Sequence, residues 1–97
     1  MIIAAITVAL HFDQSRSLKQ KRHLLKSIIE KVKHRFNVSI AEVADQDLWQ
    51  KSTVGISYIA ISDFQANKKS FTIKNFIESL DKATISQYNF EVMKSDV

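Results

Sequence analysis

A change of hydrophobic period near residue 17 most constrains the fold of this chain. From Met1 to Phe12 the larger apolar side chains fall on even positions (Ile2, Ile6, Val8, Leu10, Phe12) and mostly smaller ones on odd positions (Ala5, Thr7, Ala9). A two-residue period with one heavy face describes a half-buried strand. Beyond it Leu18, Leu25, Ile28, Ile29, Val32 and Phe36 recur every three or four residues, the stripe of an amphipathic helix. Ser17 and Gln20 head that helix at capping-box spacing. Asn37, a residue tolerated in the left-handed conformation, is expected to end it. The apolar start lacks the basic region of a signal peptide and is too short to span a bilayer, so no membrane segment is expected.

The same two periods repeat once more. Val38–Val43 reads as a second strand, Ala44–Gln50 as a connection without apolar period, and Thr53–Ser62 as a third strand forming a hairpin with the second. Asp63 or Asn67 can cap a second helix with Ile73, Phe76, Ile77 and Leu80 as its buried stripe. Ile85–Met93 closes the chain as a strand with Tyr88, Phe90 and Val92 on one face. The order βαββαβ over residues 1–97 predicts a single α+β domain, a ferredoxin-like split βαββαβ sandwich. Its four-stranded antiparallel sheet should carry both helices on one face.

If the even face meets the helices, the other face holds Ile3, Ala5, Ala9, Ala41, Val43, Ile59, Ile61 and Ile85 around Thr7, Thr53 and Ser57. That surface is too apolar for bare solvent, and a second copy of the chain is its simplest cover, so a homodimer is expected. Phe12, Tyr58, Tyr88 and Phe90 all fall on the core parity. The open face is therefore a poor platform for stacking bases.

Charge is concentrated in one place. Residues 16–35 hold eight Lys or Arg against Glu30, a local charge of +7, while the other residues carry six basic and nine acidic side chains, a charge of −3. Lys19, Arg22, Lys26 and Lys33 fall within a sector of about 60° beside the apolar stripe, a row able to track a phosphate backbone. Arg16, Lys19, Lys21 and Arg22 crowd the helix N-terminus, where the macrodipole disfavours cations by about 0.3–1 kcal/mol each. An anion docking there would compensate, and the expected anion-binding set is Ser17, Lys19, Lys21, Arg22, Lys26, Lys33 and Arg35.

Catalytic chemistry finds little support. Without cysteine there is no disulfide, thiolate nucleophile or zinc ribbon, and one glycine with no proline excludes Gly-rich phosphate loops. Glu42, Asp45 and Asp47 have no EF-hand spacing and no histidine partner, and read as turn chemistry. His23 and His34, eleven residues apart on one helix, cannot share a metal, and His11 stands alone. No cofactor, metal or enzymatic activity is expected. Trp49 either anchors the acidic loop on the core or serves as an interface residue.

The segment Ser17-Leu18-Lys19-Gln20-Lys21-Arg22 and the run Arg35-Phe36-Asn37-Val38-Ser39-Ile40-Ala41-Glu42-Val43-Ala44-Asp45-Gln46-Asp47-Leu48-Trp49-Gln50 resemble the signature of the YlxP-like proteins of the DUF503 class. The resemblance covers residues 1–62 well and the remainder in pattern only. It implies a ferredoxin-like fold in a cytoplasmic bacterial protein whose genes often lie among those for translation initiation and ribosome maturation, and it implies no established activity. The family positions here are Ser17, Lys19, Lys21, Arg22, Phe36, Asn37, Ala41, Glu42, Asp45, Gln46, Asp47 and Trp49. The first four are read as anion-facing; Glu42, Asp45, Gln46, Asp47 and Trp49 form a loop able to meet a partner. Two expectations result. One is a non-enzymatic RNA- or ribosome-associated factor gripping phosphates with the first helix. The other is a protein-interaction module using the apolar sheet face and the Asp45–Trp49 loop.

Overall fold

A computed structural model describes residues 1–97 as β1 (Ile2–His11), α1 (Leu18–Arg35), β2 (Ser39–Ala44), β3 (Lys51–Ala60), α2 (Asp63–Ser79) and β4 (Thr84–Lys94). The strands form one antiparallel sheet in the order β2-β3-β1-β4. Ile6 pairs with Ile56 on one side and Phe90 on the other, and Val8 with Val54 and Tyr88. These rows share one core with Leu25, Ile28 and Val32 of α1 and Ile73 and Ile77 of α2, so both helices cover the even face. Each fully buried aliphatic side chain contributes about 1.5–3 kcal/mol to that closure. The architecture is the ferredoxin-like sandwich that the periodicity predicts.

Both helices start alike. Ser17 Oγ accepts the Gln20 N–H at 3.1 Å while Gln20 Oε1 accepts the Arg16 N–H; Ser62 Oγ accepts the Gln65 N–H at 3.1 Å while Gln65 Oε1 accepts the Ile61 N–H. The cap of α2 is therefore Ser62 rather than Asp63 or Asn67, because only Ser62 stands three residues before a glutamine that can reciprocate. Tyr58 and Tyr88 then pin α2 to the sheet, their hydroxyls donating to the carbonyls of Ala66 (2.6 Å) and Ser70 (2.9 Å).

Two helix and strand ends differ from expectation. α1 closes on Phe36 in extended conformation, and left-handed backbone occurs at Asp45 (φ 64°) and Asp81 (φ 54°), not at Asn37. β3 begins at Lys51, where the Phe12 N–H reaches the Gln50 carbonyl (2.8 Å) and prolongs the pairing with β1.

Each outer strand carries one irregularity. The β2–β3 register shifts between Glu42 and Ala44, and the β1–β4 register shifts between Ala9 and Leu10, opposite Gln87 and Ile85. Ser86 is the extra residue of β4, so Ile85 pairs with Leu10 and packs against the core instead of joining the open face. A strict two-residue count assigns it to the wrong side. Apart from Ala9, which is buried beside the β4 irregularity, the rest of the open face follows expectation: Ile59, Ile3 and Met93 form a row across β3, β1 and β4, with Ile59 64% and Met93 62% exposed. Ala5, Thr7 and Ser57 continue that face as small residues, and none of its strand positions holds an aromatic side chain. Ile61 lies beyond the end of β3 and is exposed.

Candidate nucleic-acid interface

On α1 the core face is set by Leu25, Ile28 and Val32, and α2 lies beside Lys31 and Arg35, which share a groove with Phe76 and Leu80. Lys19, Arg22, Lys26 and Lys33 project from the opposite flank, all exposed, over about 21 Å of helix axis. Lys26 Nζ comes within 4.0 Å of Glu30, an exposed pair of little energetic weight. Lys19, Arg22 and Lys33 have no carboxylate partner. This flank is an uncompensated row of positive charge.

Lys21 is not part of it. Its side chain is 0% exposed, and its ammonium donates to Glu42 Oε2 (2.8 Å) and to the carbonyls of Asp45 (3.1 Å), Gln46 (3.2 Å) and Lys51 (3.3 Å). Glu42 also accepts from the Ser52 hydroxyl at 2.7 Å. An ammonium with three protons and four internal acceptors has nothing left for a visiting phosphate. The charge that violates the helix dipole is neutralised by β2 rather than by a ligand. Ser17 is likewise committed, its hydroxyl serving as the helix cap.

The β2–β3 connection hangs on that lysine. Asp45, in left-handed backbone, accepts from the Thr53 hydroxyl (2.6 Å) and lies 3.8 Å from Lys51 Nζ, while Gln50 Nε2 donates to the Ser15 carbonyl at 3.1 Å. The two signature segments therefore meet in space: the start of α1 carries the loop through Lys21. Glu42 belongs to this support and leaves the set of partner-facing residues. Gln46 and Asp47 remain exposed, and Trp49 stands 47% exposed at the end of the loop rather than sealed on the core. No three His, Asp or Glu side chains are grouped to hold an ion. His11 pairs with Asp13, and His23 and His34 are exposed.

Arg35 lies apart from the row, at the C-terminal end of α1 and on its α2 side. It lines a cleft of about 330 Å³ with Asn37, Gln65, Lys68, Lys69 and Thr72. The Arg35 guanidinium sits 5.2 Å over the Phe76 ring. Lys69 Nζ donates to the Asn37 carbonyl (3.1 Å) and lies 4.8 Å over the Tyr58 ring. Burial, with the neighbouring Tyr88, pushes the Tyr58 hydroxyl up to about 12. Lys68 and Lys69 escape the sequence reading because they sit among neutral residues in a weakly charged segment. The signal that finds them is topological: in βαββαβ the two helices run antiparallel on one sheet face, which sets the start of α2 beside the end of α1.

Fold and surface together define a small ferredoxin-like α+β domain with a basic helical flank and no residues grouped for metal chemistry. The family described as "Protein of unknown function (DUF503)" matches residues 3–90, and the chain belongs to that family. Over 63 residues it is 43% identical to the "Uncharacterized protein YlxP" of Bacillus subtilis (strain 168), a match covering 65% of this chain and 68% of that protein. Among solved structures, the de novo designed protein Foldit4 aligns with a TM-score of 0.50 at 18% identity over 97% of both chains, a likeness of fold alone. A dimeric ferredoxin-like protein from an uncultured marine organism aligns with a TM-score of 0.46 at 13% identity, over 99% of this chain and 98% of that one. No helix is long and apolar enough to cross a membrane.

Proposed function

We propose that this protein is a non-enzymatic, cytoplasmic factor that binds RNA on ribosomal particles, gripping phosphates with Lys19, Arg22, Lys26 and Lys33. The observation that carries this reading is the flank itself: four cations in line on α1, with only a marginal contact to Glu30 to offset them. Such a row tracks a backbone without reading bases, so affinity should fall steeply with salt. The triple variant Arg22→Ala/Lys26→Ala/Lys33→Ala removes three contacts from exposed positions. In a salt titration of RNA binding its log–log slope should be shallower by about 2. In a sucrose gradient the wild type should travel with ribosomal particles and leave them at high salt. Unchanged affinity and slope in the variant reject the flank.

A second reading concerns the open sheet face, where Ile59, Ile3 and Met93 form an apolar row beside small neutral residues. A second copy covering that face suits its lack of charge, since Glu91 is the one acidic residue opposite Ala5. Met93→Lys should shift a dimer to monomer in sedimentation equilibrium. A wild-type protein that is monomeric at micromolar concentration removes this reading.

A further inference from the structure

Phe64 and Phe71 have no role in the core or in the basic flank, yet they are 76% and 67% exposed. Seven residues apart on α2, they stand on the same side two turns from each other, about 10.5 Å along the axis. That side is opposite Ala66, Ser70, Ile73 and Ile77, the residues α2 buries. Two outward phenyl rings on one ridge, where most of a helix surface is polar, mark a contact surface.

The charge around the ridge says what kind of contact. Lys68 lies between the two rings along the axis and also lines the cleft that holds Arg35 and Lys69. No carboxylate lines that cleft. Asp63 points toward β4, held by Lys94 at 2.9 Å, and Glu78 lies two turns beyond Phe71. The complementary ligand offers flat apolar faces spaced along a polyanion, which is the description of an unpaired RNA strand: each base has a face to stack and each linkage a phosphate to bind. A duplex hides its base faces and cannot use the rings. The sheet has no aromatic on its open side, and apart from Trp49 in the β2–β3 connection α2 is where this fold presents rings to solvent beside cations.

We propose that Phe64 and Phe71, with Lys68 between them and the cleft of Arg35 and Lys69 on the far side of Lys68, form a binding site for single-stranded RNA, bases stacking on the rings and phosphates on Lys68 and in the cleft. The site rests on the RNA reading above and adds strand selectivity that the α1 flank does not supply.

Fluorescence anisotropy with a labelled oligouridine and with a labelled RNA duplex tests it on the intact protein. The variant Phe64→Ala/Phe71→Ala changes only exposed side chains and should keep its circular dichroism and melting curve. It should lose roughly ten- to hundredfold in affinity for oligouridine with an unchanged salt slope, because stacking releases no counterions, and bind duplex as the wild type does. Phe64→Trp/Phe71→Trp should restore oligouridine binding. Wild-type affinity for oligouridine in the alanine variant overturns the site while leaving the α1 flank standing. Equal losses for oligouridine and duplex overturn it as well, as does a change of oligomeric state without a change in RNA affinity, which would assign the ridge to a protein contact. A wild-type protein that binds neither RNA removes both this site and the function on which it rests.

Discussion

Lys21 near the start of α1 and Arg35 at its end are held in opposite ways. At the N-terminal end Lys21 is enclosed, its ammonium shared among one carboxylate and three carbonyls of the β2–β3 connection. At the C-terminal end Arg35, together with Lys68 and Lys69 from α2, opens on a cleft without any carboxylate. A helix N-terminus is the poorer place for a positive charge, yet that is where the buried one sits. Formal charge in a sequence is thus a poor guide to available charge. What matters is whether the fold has already supplied the counter-ion.

Exchanging the two lysines for methionine tests this contrast most severely. Lys21→Met leaves the Glu42 carboxylate without its partner and frees three loop carbonyls, and should cost about 3–5 kcal/mol in urea denaturation. Lys69→Met gives up one carbonyl hydrogen bond and the stack on Tyr58, a loss of about 1 kcal/mol. Equal costs would break the contrast.

A smaller effect comes from alkaline pH. The Tyr58 hydroxyl ionises near 12 in the fold and near 10 in the unfolded chain. Above pH 10 the unfolded state therefore binds fewer protons, and stability declines until about pH 12 by an amount of order 2 kcal/mol. Tyr58→Phe should remove that share of the decline, and tyrosinate absorbance should rise late for both tyrosines, since burial raises Tyr88 as well. The smallest effect belongs to Glu30→Gln. An exposed pair at 4.0 Å should leave the urea midpoint where it was, while removal of the one acidic side chain beside the row should tighten RNA binding at low salt.

Most of the fold could be read from local pattern. The even-position strand residues, the stripe of α1 and the βαββαβ order follow from periods of two and three to four, and the sandwich follows from the order. Ile85 could not be placed that way, because one inserted residue at Ser86 reverses the parity of everything before it and leaves no mark in composition. The site was less legible. The exposed row of Lys19, Arg22, Lys26 and Lys33 is a property of one helix, so helical geometry finds it. The burial of Lys21 depends on Glu42, twenty-one residues away on another element, and the cleft at Arg35 depends on α2. Phe64 and Phe71 were hidden for a simpler reason: the apolar stripe expected for α2 starts at Ile73, and nothing in the pattern of the first two turns says which face is left in solvent.

The shifts in β2 and β4 sit at the same level of the sheet, flanking the row in which Thr53 pairs with Ala9. Both rims of the sheet are therefore bent at one height, and neither offers a long, straight ladder of free amides and carbonyls to a stranger. Two surplus residues, one in each outer strand, thus interrupt the straight edges along which sheets join.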